Sequence, residues 1–144
     1  MEKILISFIL ILYNISLMGV DVSGNQSGVW SPDNNPYNVV GEITIPAEET
    51  LEIQPGVIVS VQGYYQITAE GNILAIGAEA DSIRFFGFNN LSWGGIRLES
   101  ETQQSEFYYC YIEDTDDIND YGINSINSPV LVNYCTFENH KKAI

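Results

Sequence analysis

Short apolar segments alternate with turn residues along most of this chain. Within each segment apolar and polar residues alternate with a period of two, and Gly, Pro or Asn stands at its ends. Because strand side chains point alternately to opposite faces, this pattern predicts short strands. No window has the i, i+3, i+4 recurrence of a helix. The predicted strands between positions 39 and 90 are 43–45, 51–53, 57–61, 65–68, 73–76 and 83–86.

One segment of the sequence occurs twice. Residues 107–114 (FYYCYIED) return as 132–139 (VNYCTFEN), at an offset of 25 residues. Strands recur at similar intervals, as Leu51 does with Leu74 and Ile45 with Ile67. Repeats of about 20–50 residues indicate stacked supersecondary units. Three strands per repeat predict an all-β, right-handed parallel β-helix of about five coils of roughly 22–27 residues. A β-sandwich is the alternative.

The ends of the chain differ from its middle. Residues 1–19 have a short charged head and an apolar run, which predict a signal peptide, cleaved there or as late as residue 24; an uncleaved anchor is the alternative. Residues 20–38 are rich in Gly, Ser, Asn and Pro and predict an irregular lead-in, with Val29 and Trp30 covering the open end of the stack. Residues 39–144 are the predicted β-helix. A further coil begins at Ala143, so we expect it to be incomplete at its C-terminus.

Several motifs resemble those of a known superfamily. They are residues 28–30, 36–39, 45–57 (IPAEETLEIQPGV), 74–77, 83–85, 93–96 (WGGI) and the two Tyr-Cys segments. From residue 28 to 144 the chain resembles secreted bacterial parallel β-helix proteins of the pectin-lyase-like superfamily. The resemblance implies the fold but no single activity, because that superfamily contains lyases, hydrolases, adhesins and proteins without a known role. It also implies an amide at the turn after each Cys-x-apolar strand, a place that Asn139 matches and Asp114 does not.

The charge of the chain narrows the choice of partner. Asp and Glu number 19 against five Lys and Arg, for a net charge of −14. A phosphate backbone attracts clustered basic residues, so nucleic acid is excluded as a partner. We expect no membrane span in the mature chain. Arg84 and Arg97 are predicted to form ion pairs on their strands.

The two cysteines fall at equivalent places in successive coils. Cys110 and Cys135 are predicted to be structural residues that face the core. An oxidising compartment permits a disulfide at this separation, but parallel Cβ vectors favour stacked free thiols, and both alternatives stay open.

Acidic residues crowd one predicted loop. Asp114, Asp116, Asp117 and Asp120 supply the oxygen ligands that calcium prefers, although their spacing does not match an EF-hand. A solvated acidic loop is the alternative. No other cofactor is expected.

Tyrosines form the one candidate ligand surface. Tyr109 and Tyr134 should stack outward on neighbouring coils, with Tyr111 beside them. Such a row can bind sugar rings face-on, or it can be ordinary strand packing.

The sequence therefore predicts a secreted or cell-surface β-helix scaffold or binding module. We expect no catalytic site in this segment, and carbohydrate or a cell-surface protein as its partner. The alternative is the N-terminal part of a polysaccharide lyase or hydrolase whose catalytic coils lie beyond residue 144.

Overall fold

A computed structural model describes residues 19–115 and 121–139. The chain is all-β, and its strands stack as a parallel β-helix of about four turns. Every pair of neighbouring strands is parallel, which confirms the β-helix over the β-sandwich. The strands are β1 (Val20–Asn25), β2 (Gly28–Trp30), β3 (Tyr37–Ile45), β4 (Thr50–Ile53), β5 (Ile58–Val61), β6 (Ile67–Ala69), β7 (Asn72–Ile76), β8 (Ile83–Gly87), β9 (Ile96–Leu98), β10 (Ser105–Tyr108), β11 (Cys110–Glu113), β12 (Ile123–Ser125), β13 (Val130–Asn133) and β14 (Thr136–Glu138). Two short 3₁₀ helices span Pro32–Asn34 and Phe88–Asn90.

Each coil contributes a strand to each of three faces. The first face runs β3-β5-β8-β11-β14, and the second runs β3-β6-β9-β12. β3 belongs to both, because residues 37–39 pair with β5 and residues 43–45 pair with β6. The third face is a separate sheet in the order β2-β4-β7-β10-β13. Stacking at about 4.8 Å per coil aligns each side chain with its counterparts on the coils before and after it.

Inward-facing residues form a continuous apolar core. On the first face Val59, Phe85 and Ile112 occupy one column, and each is fully buried. Burying such a side chain contributes roughly 1.5–3 kcal/mol. The core therefore follows from the period-2 pattern, because every second residue of each strand faces it.

The register of two strands differs from the prediction. Leu51 pairs with Ile73, not Leu74, so β7 is shifted by one residue. Ile45 pairs with Ala69, not Ile67, so β6 is shifted by two residues and keeps its faces. A shift of one residue exchanges the two faces of a strand. Accordingly Ile73 and Ala75 are buried and Leu74 lies on the outer side. The apolar run Ile73-Leu74 concealed which of the two residues faces the core.

The sequence predicts an irregular lead-in, but the structure shows two strands there. Residues 20–25 form β1, which pairs with β3 across a bulge between Val22 and Gly24, and residues 28–30 form β2. Both strands are mostly exposed because they end the stack. Trp30 is buried and its ring stacks on Tyr37 at 4.6 Å between centroids, whereas Val29 is exposed. The polar composition of residues 20–38 reflects an end coil whose buried residues are Trp30 and Tyr37.

The Gly95-Ile96 segment recurs one coil later as Gly122-Ile123. Ile96 pairs with Ile123, and Trp93 before it is fully buried, with Nε1 donating to the Glu113 carbonyl at 2.6 Å. Gly95 has φ of +71°, and a Cβ there would lie 2.4 Å from the Tyr121 carbonyl oxygen. The predicted signal peptide up to residue 18 and the predicted coil start at Ala143 lie outside the described residues.

Candidate functional site

A groove of about 740 Å³ runs over the outer side of the first face. It crosses strands of four successive coils, β1, β3, β5 and β8. Its lining residues are Asp21, Pro36, Asn38, Val40, Ile58, Ser60, Gln62, Phe86 and Phe88.

The strand registers bring the lining residues together. Asp21 pairs with Asn38, Asn38 with Ser60, and Ser60 with Phe86. These four residues therefore form one outward column along the helix axis, although 65 positions separate the first from the last in the numbering. Gln62 follows two residues after Ser60, on the same outer side.

A chain of hydrogen bonds links the polar residues across three coils. Gln62 Nε2 donates to Asn38 Oδ1 at 3.4 Å, and Asn38 Nδ2 donates to Asp21 Oδ1 at 3.2 Å. Gln62 Nε2 also contacts the Ser60 hydroxyl at 2.9 Å. We call Asp21, Asn38 and Gln62 the polar ladder. Because these contacts restrain the side-chain rotamers, the ladder presents an ordered row of donors and acceptors.

Apolar side chains border the polar ladder. Phe86 is half-buried on β8, and Phe88 is 44% exposed at the start of the following 3₁₀ turn. Val40 is 42% exposed at the other edge. The groove thus combines aromatic and aliphatic surface with a few fixed polar groups, which is the usual composition of a small-molecule site.

One ion pair stands at the rim of the groove. The Arg84 guanidinium lies 5.5 Å from the Phe86 ring centroid and 2.8 Å from Oε2 of Glu113. Arg97 pairs in the same way with Glu99 on the second face. Both arginines are therefore ion-paired on their strands, as predicted.

A second groove, of about 550 Å³, lies on the third face. It has no amide ladder: its lining is largely aliphatic and proline, with one acid. The lining residues are Pro32, Glu52, Ile53, Gln54, Pro55, Leu74 and Ile76. Nothing in this lining arranges several polar groups towards one ligand, so the first groove is the better candidate site.

The predicted tyrosine row lies outside the groove. Tyr109 and Tyr134 stack as predicted, with ring centroids 4.8 Å apart and planes 8° apart. Each ring therefore covers one face of the other, and that face is closed to a sugar. Tyr111 is 39% exposed on β11, in register with Arg84. Tyr134 is 74% exposed, so its other face stays open, and sugar contact by this row stays a prediction.

The predicted calcium loop is described only in part. Asp114 accepts a hydrogen bond from Asn139 Nδ2 at 2.9 Å, so the amide ladder that the resemblance implies includes a carboxylate at this step. Asp116, Asp117 and Asp120 lie outside the described residues. Within residues 19–115 and 121–139, no three His, Cys, Asp or Glu side chains are grouped as a metal site.

Both cysteines are free thiols. Cys110 is fully buried and Cys135 is half-buried. Their mutual hydrogen bond lowers the pKa of the Cys135 thiol to about 7. The same bond, together with burial, raises the pKa of the Cys110 thiol. The two thiols belong to the core, and the pKa of the Cys135 thiol lies near neutral pH.

The groove residues were missed from the sequence, although a signal was present. Asn38 and Ser60 are 22 residues apart, which is the coil register on this face, and both lie on the outer side beside buried Val39 and Val61. A search for polar residues that recur at the coil period would have found them. Asp21 carried no such signal, because it belongs to the segment predicted to be irregular.

No protein-family model, curated protein or solved structure matches this chain. The part of the chain that the structure describes contains no helix with the length and apolar character of a membrane span. The geometry of the groove is therefore the evidence that bears on function.

Proposed function

We propose that this protein is a secreted or cell-surface β-helix module that binds carbohydrate in the groove of the first face. The observation that carries the proposal is the polar ladder of Asp21, Asn38 and Gln62 beside Phe86 and Phe88. Sugar hydroxyls both donate and accept hydrogen bonds, so they match amide and carboxylate groups in one row. The apolar C–H face of a sugar ring packs on an aromatic ring.

Binding without hydrolysis fits the charges of the groove. Glycoside hydrolases generally use two carboxyl groups on either side of the scissile bond. Among the described residues that line the groove, Asp21 is the one carboxylate. A hydrolase site in this groove would need further groups that its lining does not provide.

The extracellular location is a proposal from the sequence. The apolar segment within residues 1–19 supports secretion, and the acidic surface suits a soluble extracellular protein. Membership of the pectin-lyase-like superfamily remains a prediction from the motifs.

The test is direct binding to defined sugars. Isothermal titration with a panel of neutral, amino and acidic hexasaccharides should detect binding to at least one of them. Phe88→Ala should weaken that binding by about tenfold, or roughly 1.4 kcal/mol, because a partly exposed ring is lost. Gln62→Ala should weaken it by a similar factor, because the polar ladder is interrupted.

The matched control is Val29→Ala on the third face. Val29 is 55% exposed and lies outside the groove, so this variant should bind as the wild type does. If no hexasaccharide binds, or if all three variants bind with unchanged affinity, the proposal is wrong.

A further inference from the structure

The groove is acidic, and this bears on which sugars it accepts. Asp21 is the one ionisable side chain among the lining residues that the structure describes. The others are amide, hydroxyl, aliphatic, aromatic or proline. The chain as a whole carries −14, so its long-range field is negative. A ligand with carboxylate or sulfate groups would meet repulsion here.

Among the described residues, the basic side chain nearest to the groove already has a carboxylate partner. Arg84 is in register with Ile58, a lining residue, and its guanidinium lies over the Phe86 ring. It pairs with Glu113, whose side chain is only 15% exposed against 52% for that of Arg84. An acidic sugar is bound most strongly where a basic side chain donates to its anionic group. Glu113 accepts from one of the five N–H donors of the guanidinium and offsets its positive charge at this rim.

We propose that the groove selects sugars without acidic groups and rejects uronates and sulfated sugars. This inference rests on the proposed function and names its ligand class. Asp21 acts directly, by accepting hydrogen bonds from a hydroxyl or ammonium group and repelling anions. Glu113 acts indirectly, by holding the Arg84 guanidinium. Asp21 is therefore a ligand-contacting residue and Glu113 a positioning residue.

The experiment compares three hexasaccharides, of glucose, glucosamine and galacturonate, by isothermal titration at low ionic strength. A chelator is present so that divalent cations do not bridge two acidic groups. The wild type should bind hexagalacturonate at least about tenfold more weakly than the better of the other two, because like charges oppose each other across the interface. Added salt should reduce this difference.

Two variants test the assigned roles. Glu113→Gln releases Arg84 and should improve hexagalacturonate binding by about threefold or more relative to the neutral hexasaccharide. Asp21→Asn should also raise the affinity for hexagalacturonate relative to that for the neutral hexasaccharide. It should weaken binding of the glucosamine hexasaccharide, because the ammonium loses its partner. The control is Glu52→Gln, which removes the same charge from the exposed side of the third face and should leave the ratio unchanged. Thermal unfolding of each variant establishes that it is folded.

The outcomes separate the two proposals. If hexagalacturonate binds as tightly as the others, the selectivity is wrong while carbohydrate binding stands. If Glu113→Gln changes the ratio no more than Glu52→Gln does, the role of the Arg84–Glu113 pair is wrong. If none of the three binds, the proposed function fails and the selectivity fails with it.

Discussion

Asn139 donates a hydrogen bond from Nδ2 to Oδ1 of Asp114, one coil earlier in the stack, at 2.9 Å. Both residues have left-handed backbone, with φ of 59° and 62°. Asn and Asp tolerate this conformation better than other non-glycine residues. The turn after β11 and the turn after β14 are therefore joined by a polar side-chain step that also suits their backbone.

Asn139→Asp should destabilise this end of the stack. The substitution replaces a donor with a second carboxylate, and the free energy of unfolding should fall by roughly 0.5–1.5 kcal/mol. Urea denaturation at neutral pH measures the change. The exchanged double variant, with Asp114→Asn and Asn139→Asp, restores one donor and one acceptor and should recover most of the loss. Equal stability of the single and double variants would contradict this account.

Phe85→Ala and Phe86→Ala should differ sharply although the residues are adjacent. Phe85 is fully buried between Val59 and Ile112, so its truncation leaves a cavity and should lower the free energy of unfolding by about 3–5 kcal/mol. Phe86 faces the groove and is half-buried, and its truncation should lower it by about 1 kcal/mol or less. Chemical denaturation of both variants provides the comparison. A similar loss in the two would mean that the assigned faces of β8 are wrong.

Gly95→Ala should be more damaging than Gly24→Ala. Both glycines have positive φ, +71° and +70°, so both substitutions impose a conformational cost. At Gly95 the new Cβ would also lie 2.4 Å from the Tyr121 carbonyl oxygen, whereas at Gly24 it meets no atom within 4 Å. The expected loss in unfolding free energy is roughly 2–4 kcal/mol at Gly95 and about 1 kcal/mol at Gly24. Thermal unfolding of both variants measures the two losses. Equal losses would contradict the close approach at Gly95.

Cys135 should react with iodoacetamide well before Cys110. The hydrogen bond with Cys110 lowers the pKa of Cys135 to about 7, so its alkylation rate should rise through that pH. Mass spectrometry of the modified peptides identifies which thiol reacts. Cys110→Ala removes the hydrogen bond and should move the rate profile of Cys135 to higher pH. Faster reaction at Cys110, or an unmoved profile, would be inconsistent with the contact.

The same thiols give stability a defined pH dependence. A lowered pKa means that the unfolded chain binds the Cys135 proton at pH values where the folded chain has lost it. The contribution of Cys135 is therefore complete above the unfolded thiol value of about 8.5, and it is lost as the pH falls through about 7. The Cys110 thiol has a raised pKa, so its contribution to stability falls as the pH rises above about 8.5.

The repeats of residue type were sufficient to predict the architecture from the sequence alone. The Tyr-Cys segments recur at a fixed interval, and they do pair in that register, with Ile112 opposite Phe137. The inward or outward side of a residue follows from strand alternation between covalent neighbours, which is a local property. The parallel coils and the stacked tyrosines were predictable for this reason.

Tertiary structure alone decided the register between Leu51 and Ile73, the strand formed by residues 20–25, and the groove. Each depends on loop length and on hydrogen bonding between coils, which no local pattern specifies. Asp21 meets Asn38 because β1 pairs with β3 in the register that places Val20 opposite Tyr37. Arg84 reaches Glu113 across 29 positions of sequence. The sequence thus determined which residues face outward, and the stacking of coils decided which of those outward residues meet.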